Sequence, residues 1–311
     1  MKYFIIHHQH KGKEIEKALR MAGHRFAYKN VDIALFDHAI NRTNPSEGRG
    51  MIKRFHSEGA TIIMYPHSPT GAWWMDLDLF PKEKLINCNL QIAEGQKKVA
   101  EIIEPESTNY IIGWSYCPIR KFQKPKDLKR ILFAPIHPPL KGHFREEAAE
   151  ANARVYKALL KLTDRYQIVV RHIHPLDRQG LWQSPKPIFV SGKPDGSYKD
   201  IEYCDVVIAE GTFMYMSAAL GKPTIGINQH VPIRANHVAH SGTPNQWDKY
   251  GDYMAYPIDF DEGDIMSVID RAFNEPQDEW RKLFIGKVMQ PKQVSDLLVD
   301  IRSRDGRTLR S

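Results

Sequence analysis

Three stretches of this chain put chemically useful side chains at the ends of apolar runs. The first is Cys204 to Asn228, CDVVIAEGTFMYMSAALGKPTIGIN, where Glu210-Gly211-Thr212 separates a β-branched run from a helical one. Such a turn caps a helix, and the free N–H groups at a helix N-terminus favour an anion. A strand, a small-residue turn and a helix start together form a phosphate seat at the carboxyl edge of a parallel sheet, which points to a nucleotide-bearing ligand. Every βαβ unit has a turn of this kind, so an ordinary structural turn stands beside that reading. The second stretch is Pro66-His67-Ser68-Pro69-Thr70-Gly71, directly after the apolar run Thr61–Tyr65. An imidazole there, with a pKa near neutrality, can take the proton from an acceptor hydroxyl. A loop histidine satisfied by backbone groups is the plainer alternative. The third is Arg171-His172-Ile173-His174-Pro175. His172 and His174 alternate to opposite faces of a strand, and the following proline keeps His174 extended. Fourteen histidines raise the question of a metal, but His7, His8 and His10 have no carboxylate at helical or hairpin spacing. An H-x-H pair alone is weak evidence for a ligand set, so no metal is expected.

The elements that must position these residues alternate between strands and helices. In the first third, Tyr3–His7, Asp32–Phe36, Thr61–Tyr65, Leu90–Ala93 and Tyr110–Gly113 read as strands. Helices read at Lys11–Ala22, Arg49–Ser57 and Gln96–Ile103, the first two stopped by Gly23 and Gly59. Cys117–Lys129, with its prolines and basic residues, reads as a linker. A second series follows: strands Arg130–Ala134, Gln167–Arg171, Ile188–Val190, Asp205–Ala209 and Thr224–Asn228, with helices Phe144–Thr163 and Tyr198–Tyr203. An amphipathic helix beginning near Thr212 and stopped by Gly221 and Pro223 joins the last two strands, and helix resumes at Ile265–Phe273 and Glu279–Arg302. Strand-then-helix repetition gives parallel, doubly wound sheets, whose ligands lie outside the carboxyl ends of the strands.

Composition sets the outer bounds. The 311 residues suffice for two domains, and 42% hydrophobic with 26% charged content is that of a water-soluble globular protein. No apolar run reaches the ~18 residues needed to cross a bilayer. The N-terminus reads as a first strand rather than a signal, and Cys88, Cys117 and Cys204 lack C-x-x-C spacing, so a reduced, cytoplasmic protein is expected. The net charge of +7 is partly concentrated: Lys121–Arg130 carries five basic residues against one acidic, and the tail IRSRDGRTLRS four against one. A solvated basic face is the plainer reading, and an anionic partner such as nucleic acid or a phosphate-rich polymer the sharper one. No helix-turn-helix, zinc-finger or RNP signature is present. Trp73-Trp74 reads as core, with stacking on a sugar or base as the alternative. His230–Asn245 reads as a ligand-binding loop, with Arg234 and Asn236 as candidate contacts.

The stretch Cys204–Asn228 resembles the donor-nucleotide segment of GT-B type glycosyltransferases, of CDP-glycerol glycerophosphotransferases and of non-hydrolysing UDP-N-acetylglucosamine 2-epimerases. Ile131–Pro138 is similar to the segment opening the donor domain in those families, and Arg171–Pro175 to their R/K-x-H-P element. The resemblance implies that His137 and Arg171 approach the donor phosphates and that His174 stabilises the leaving group, with Gly211 and Thr212 donating from the helix end. The families usually carry a mid-helix Glu for the donor ribose; that slot holds Met216 here, and Glu210, one turn earlier, is the candidate substitute. His67 and Gly71, four apart, resemble in interrupted form the His-Gly pair that the glycerophosphotransferase-like families carry in the N-terminal domain, which implies a catalytic role for His67. The resemblance further implies an acceptor side comprising His8, Lys11, Ser68 and Thr70, with Lys13 near it. Catalysis of this type does not require a metal.

The expected fold is α/β: two Rossmann-like, doubly wound parallel-sheet domains facing a cleft, GT-B-like. The expected boundaries are 1–120 for the acceptor side, 128–275 for the donor side, and 276–311 for a C-terminal helix and basic tail packing back on the N-terminal domain. The expected activity is transfer of a sugar from a UDP- or CDP-linked donor, with no tightly bound cofactor, to an acceptor hydroxyl. Modified DNA and an anionic polymer are acceptors that the charge permits. The alternatives are a glycerophosphotransferase, a UDP-sugar 2-epimerase-like isomerase, and a non-catalytic sugar-nucleotide- or nucleic-acid-binding protein.

Overall fold

The computed structural model describes residues 1–6, 10–37, 45–66, 85–103, 106–114, 118–124, 126–135, 144–171, 189–191, 197–209, 211–226, 265–274, 278, 281–282 and 285–306. The chain divides into two compact units, Met1–Pro118 with Lys282–Ser311, and Ile119–Arg281.

Unit 1 is built on a six-stranded sheet whose paired strands all run parallel. Its strands are β1 (Lys2–Ile5), β2 (Arg25–Phe26), β3 (Ile33–Asp37), β4 (Thr61–Tyr65), β5 (Cys88–Gln91) and β6 (Asn109–Ile111), in the order β2-β1-β3-β4-β5-β6. All residues of β3 and β4 are buried, as near-continuous apolar runs require when both faces of a parallel sheet are covered. The period of two divides them: Ile33, Leu35, Ile63 and Tyr65 enter one core, while Ala34, Phe36, Ile62 and Met64 enter the other. Helix α1 (His10–Met21) supplies Ile15 and Leu19 to the first core. Helix α2 (Pro45–Ser57) supplies Ile52 and Phe55 to the second, where Phe4 and Phe55 stack at 4.5 Å. Helix α3 (Glu94–Ile103) joins β5 to β6.

A continuous helix over Glu279–Arg302 does not form. Gly286 takes φ +62, Val288 bridges Trp114 in parallel, and Pro291 starts a fresh helix at its first turn. Gly113, at φ +88, lets that bridge close, because a Cβ there would lie 2.6 Å from the Lys287 carbonyl oxygen. The helix that begins at Pro291 inserts Val294, Leu298 and Ile301 beside Ile15 and Leu19. Its last turn grips the amino end of β4. Asp305 accepts from Thr61 Oγ1 at 2.7 Å and from Asn87 Nδ2 at 3.0 Å, and Arg302 donates to the Gly59 carbonyl at 3.1 Å.

Unit 2 holds a five-stranded parallel sheet: β7 (Arg130–Ala134), β8 (Gln167–Arg171), β9 (Phe189–Ser191), β10 (Val206–Ala209) and β11 (Thr224–Gly226), ordered β11-β10-β7-β8-β9. Helices α4 (Phe144–Leu160) and α7 (Ile265–Asn274) bury Val155, Leu159, Ile269 and Ala272 against Ile131, Phe133, Ile168, Val170 and Ile208 on one face. Helix α5 (Ser197–Tyr203) leads into β10, and α6 (Gly211–Ala219) joins β10 to β11. The C-terminal helix of unit 1 is α8 (Pro291–Arg304).

Helix α6 is not the amphipathic element expected. Met214 through Ala219 are all buried, so it is apolar around its circumference, as a helix enclosed by protein must be. Ser217 resolves its one buried hydroxyl with Thr224 Oγ1 at 2.8 Å. The Leu220–Gly221 turn closes the helix, with Gly221 at φ +79. The segment read as a linker straps this end: Arg120 N–H donates to Ala219 O at 2.7 Å and Gln123 N–H to Gly221 O at 2.8 Å. Arg281, at the other end of unit 2, donates from Nε to Ala218 O at 2.7 Å and from Nη2 to Arg120 O.

Candidate functional site

In unit 2 the chain starts in the middle of the sheet at β7, moves out to β8 and β9, then returns to β10 on β7's other flank. The order therefore reverses between β7 and β10, and a doubly wound sheet leaves a ligand crevice outside the carboxyl ends at such a reversal. Ala134 and Ala209 pair in register across it, two small residues side by side. From Ala209 the chain reaches α6 after a single residue, and Gly211 and Thr212 are the first two residues of that helix. Their backbone N–H groups belong to the first turn, which has no partners within the helix itself and carries the positive end of the helix dipole.

Arg171 is the last residue of β8. The strand's period of two sends Ile168 and Val170 into the α4/α7 core and sends Arg171 to the opposite face. There it is 2% exposed, paired through Nη1 with Asp200 Oδ2, and its Cζ lies 5.3 Å from the Phe213 ring centroid. Phe213 is the third residue of α6, and Asp200 belongs to α5.

Helix α5 is fixed at several points. Glu202 pairs with Arg120 at 2.8 Å, Tyr203 OH donates to Gln167 Oε1 at 3.1 Å, and the Arg130 guanidinium covers the Tyr203 ring at 4.2 Å. Lys222 Nζ donates to the carbonyls of Glu202 at 3.0 Å and Cys204 at 2.9 Å, closing the end of α5 where cations are favoured. Burial lowers the Lys222 pKa, with Asp205 opposing that shift. Burial likewise pushes the Cys204 thiol up to about 12, and Cys88 in unit 1 also to about 12, so neither is a ready nucleophile.

Unit 1 has its own reversal, between β1 and β3. Asp37 closes β3 there and is fully buried, and Tyr65 OH donates to the Ile6 carbonyl beside it. Lys11 lies in the first turn of α1, which leaves this edge.

Of the residues expected to do chemistry, Arg171 is described with its side chain, and Lys11, Gly211 and Thr212 by their places in helices. His8, His67, Ser68, Thr70, His137, His174 and Glu210 lie outside the described residues, as do Trp73, Trp74, Arg234 and Asn236. Met216, in the slot of the ribose-binding Glu, is 3% exposed and part of the packed helix. Sequence reasoning missed Asp200 and Phe213, which meet Arg171 only through tertiary packing. It also missed Asp37, although a polar residue ending an apolar run was the signal used for His67. Among the described residues no group of three or more His, Cys, Asp or Glu gathers as a metal site would, and no helix is long and apolar enough to cross a membrane.

No family model matches the sequence, and no curated protein matches it. Solved structures do. The chain is similar to TarM, at TM-score 0.51 and 12% identity over 94% of this chain and 58% of TarM. It is also similar to the apo form of the lipopolysaccharide outer core galactosyltransferase WaaB, at TM-score 0.50 and 12% identity over 94% of this chain and 80% of WaaB. The chain thus spans under two thirds of TarM's length. Its fold, two Rossmann-like parallel sheets with helices, is that of GT-B glycosyltransferases.

Proposed function

We propose that this chain is a nucleotide-sugar-dependent glycosyltransferase whose donor diphosphate sits at the N-terminus of α6. The observation that carries this reading is the position of that helix start: one residue beyond β10, at the reversal point of the unit 2 sheet. The resemblance of Cys204–Asn228 to donor-nucleotide segments and the GT-B fold support it.

In this reading His67 accepts the proton of the acceptor hydroxyl as its oxygen bonds to the anomeric carbon. The bond from that carbon to the diphosphate breaks, and the departing phosphates gain charge. Backbone N–H groups of Gly211 and Thr212 and the cations Arg171 and His174 stabilise that charge, the electrostatic contribution that usually dominates in such transfers. His137 lies on the phosphate path, and Glu210 takes the ribose hydroxyls that a mid-helix Glu would otherwise hold. His8, Lys11, Ser68 and Thr70 serve the acceptor. No cofactor is bound tightly; the donor is UDP- or CDP-linked. The basic balance of the chain favours an anionic acceptor, DNA or a phosphate-rich polymer.

A thermal-shift panel of UDP-, CDP- and GDP-linked sugars tests the donor. A true donor at 100 times its Kd stabilises by about 2.7 kcal/mol. His67→Ala should then abolish transfer while leaving that stabilisation in place. Full transfer by His67→Ala removes the histidine from the mechanism, and epimerised sugar formed without an acceptor replaces transferase with isomerase.

A further inference from the structure

Among the described residues, Arg171 is a cation expected at the donor phosphates whose side chain is buried rather than reaching into open solvent. The residue is 2% exposed, and its guanidinium meets both the Asp200 carboxylate of α5 and the Phe213 ring of α6. A planar guanidinium can satisfy both at once, with N–H groups in its plane for the carboxylate and its face for the ring. Phe213 lies in the first turn of α6, so a contact to its ring bears on the turn that carries the N–H groups of Gly211 and Thr212.

Asp200 is suited to act as the anchor. Its helix is held by the Arg120–Glu202 pair, by Lys222 on two carbonyls and by Tyr203 on Gln167. All three ties lead to β8, to the segment before β7 or to the turn after α6, so α5 is joined at several points to the sheet that carries Arg171. A carboxylate on a pinned helix also cancels the charge of the guanidinium, which a buried arginine requires.

We propose that Asp200 is a positioning residue for the donor seat: it holds the Arg171 guanidinium against Phe213, and this triad sets the direction of the first-turn N–H groups of α6. The inference rests on the donor reading above and narrows one part of it. Beyond its charge, Arg171 acts on the phosphates through the helix end it braces, and Asp200 acts through Arg171. A merely structural ion pair would alter stability and leave ligand affinity alone.

The experiment is a double-mutant cycle on the full chain, read by calorimetric UDP affinity and by melting temperature. Asp200→Asn and Arg171→Met should each weaken UDP binding by about tenfold, and the double variant by no more than either single one, since each removes the same device. Phe213→Leu should weaken it in the same direction, and Asp200→Glu, which keeps the charge, should recover most of the affinity. If Asp200→Asn does not fold, Asp200→Glu and Phe213→Leu carry the test with the same readout. Wild-type affinity in Asp200→Asn or Phe213→Leu, whatever their melting temperature, overturns the proposal, as do additive losses in the double variant. A wild-type chain that binds neither UDP nor any sugar nucleotide overturns the donor reading itself and this inference with it. The two failures are thereby told apart.

Discussion

Gly221 shows how one residue can hold several segments together. It ends α6 at φ +79, and a Cβ there would strike the Lys121 carbonyl oxygen. An L-residue in that conformation costs about 1–2 kcal/mol before any clash is counted. Gly221→Ala is therefore expected to lower stability by at least ~2 kcal/mol, measurable by urea denaturation, and an unchanged midpoint would show that the strap from 119 to 123 can yield. The glycine's helix-stopping role was legible in Gly-Lys-Pro. Its close approach to Lys121 was not, because the two residues are one hundred positions apart. The same holds for the site. Arg171 at a strand end could be read from QIVVR, but its partner Asp200 lies 29 residues on, with nothing in the spacing to announce it. An expectation that stops at the strand end sees a cation pointing at a ligand; the folded chain shows a cation gripped by two helices.

Elements were legible where burial on both faces left an unbroken apolar run. Thr61–Tyr65, Arg130–Ala134 and Gln167–Arg171 form strands over the expected residues. The two-residue edge strand β2 carries too little pattern to be read, and Arg25 pairs only because β1 offers its outer edge. The break at 285–290 was announced by Gly286 and Pro291 and overridden by the helical spacing of the flanks, although a proline inside a helix removes a hydrogen bond and clashes with the preceding turn. The resulting α8 meets the turn after α1 at His24, whose Nε2 lies 3.1 Å from Ser295 Oγ. Desolvation lowers the His24 pKa in the folded chain below its ordinary value of 6.5. The unfolded chain thus binds this proton first, and stability contributed here is complete above pH 6.5 and declines as pH falls below it, down to the lowered folded value. Replacing His24 by Asn should flatten that part of the pH–stability curve, as melts between pH 7.5 and 5 would reveal.

At the scale of the whole molecule, the two units have separate cores, and damage should stay where it is made. Phe55→Ala empties space among Phe4, Phe36 and Met64 in unit 1, and Ile269→Ala does so between α7 and β10 in unit 2. Each is expected to cost about 3–5 kcal/mol. Hydrogen exchange should show β3 and β4 losing protection in the first variant and β7, β8 and β10 in the second, and a uniform loss in either would mean that the chain unfolds as one body. The net charge of +7 belongs to this scale too, since it bears on partners rather than on fold.

The strap on α6 binds Arg120, where the chain enters unit 2, to Arg281, where it leaves. The second unit is therefore an excursion, begun and finished at one spot, that interrupts the first. During synthesis every residue of that excursion is in hand before Met289, Val294, Leu298 and Ile301 emerge to cover the β1–β3–β4 face. Unit 1 is thus completed after unit 2, and until the closing helix arrives its β1–β3–β4 face is covered by α1 without α8 and is the more open to aggregation or to chaperones.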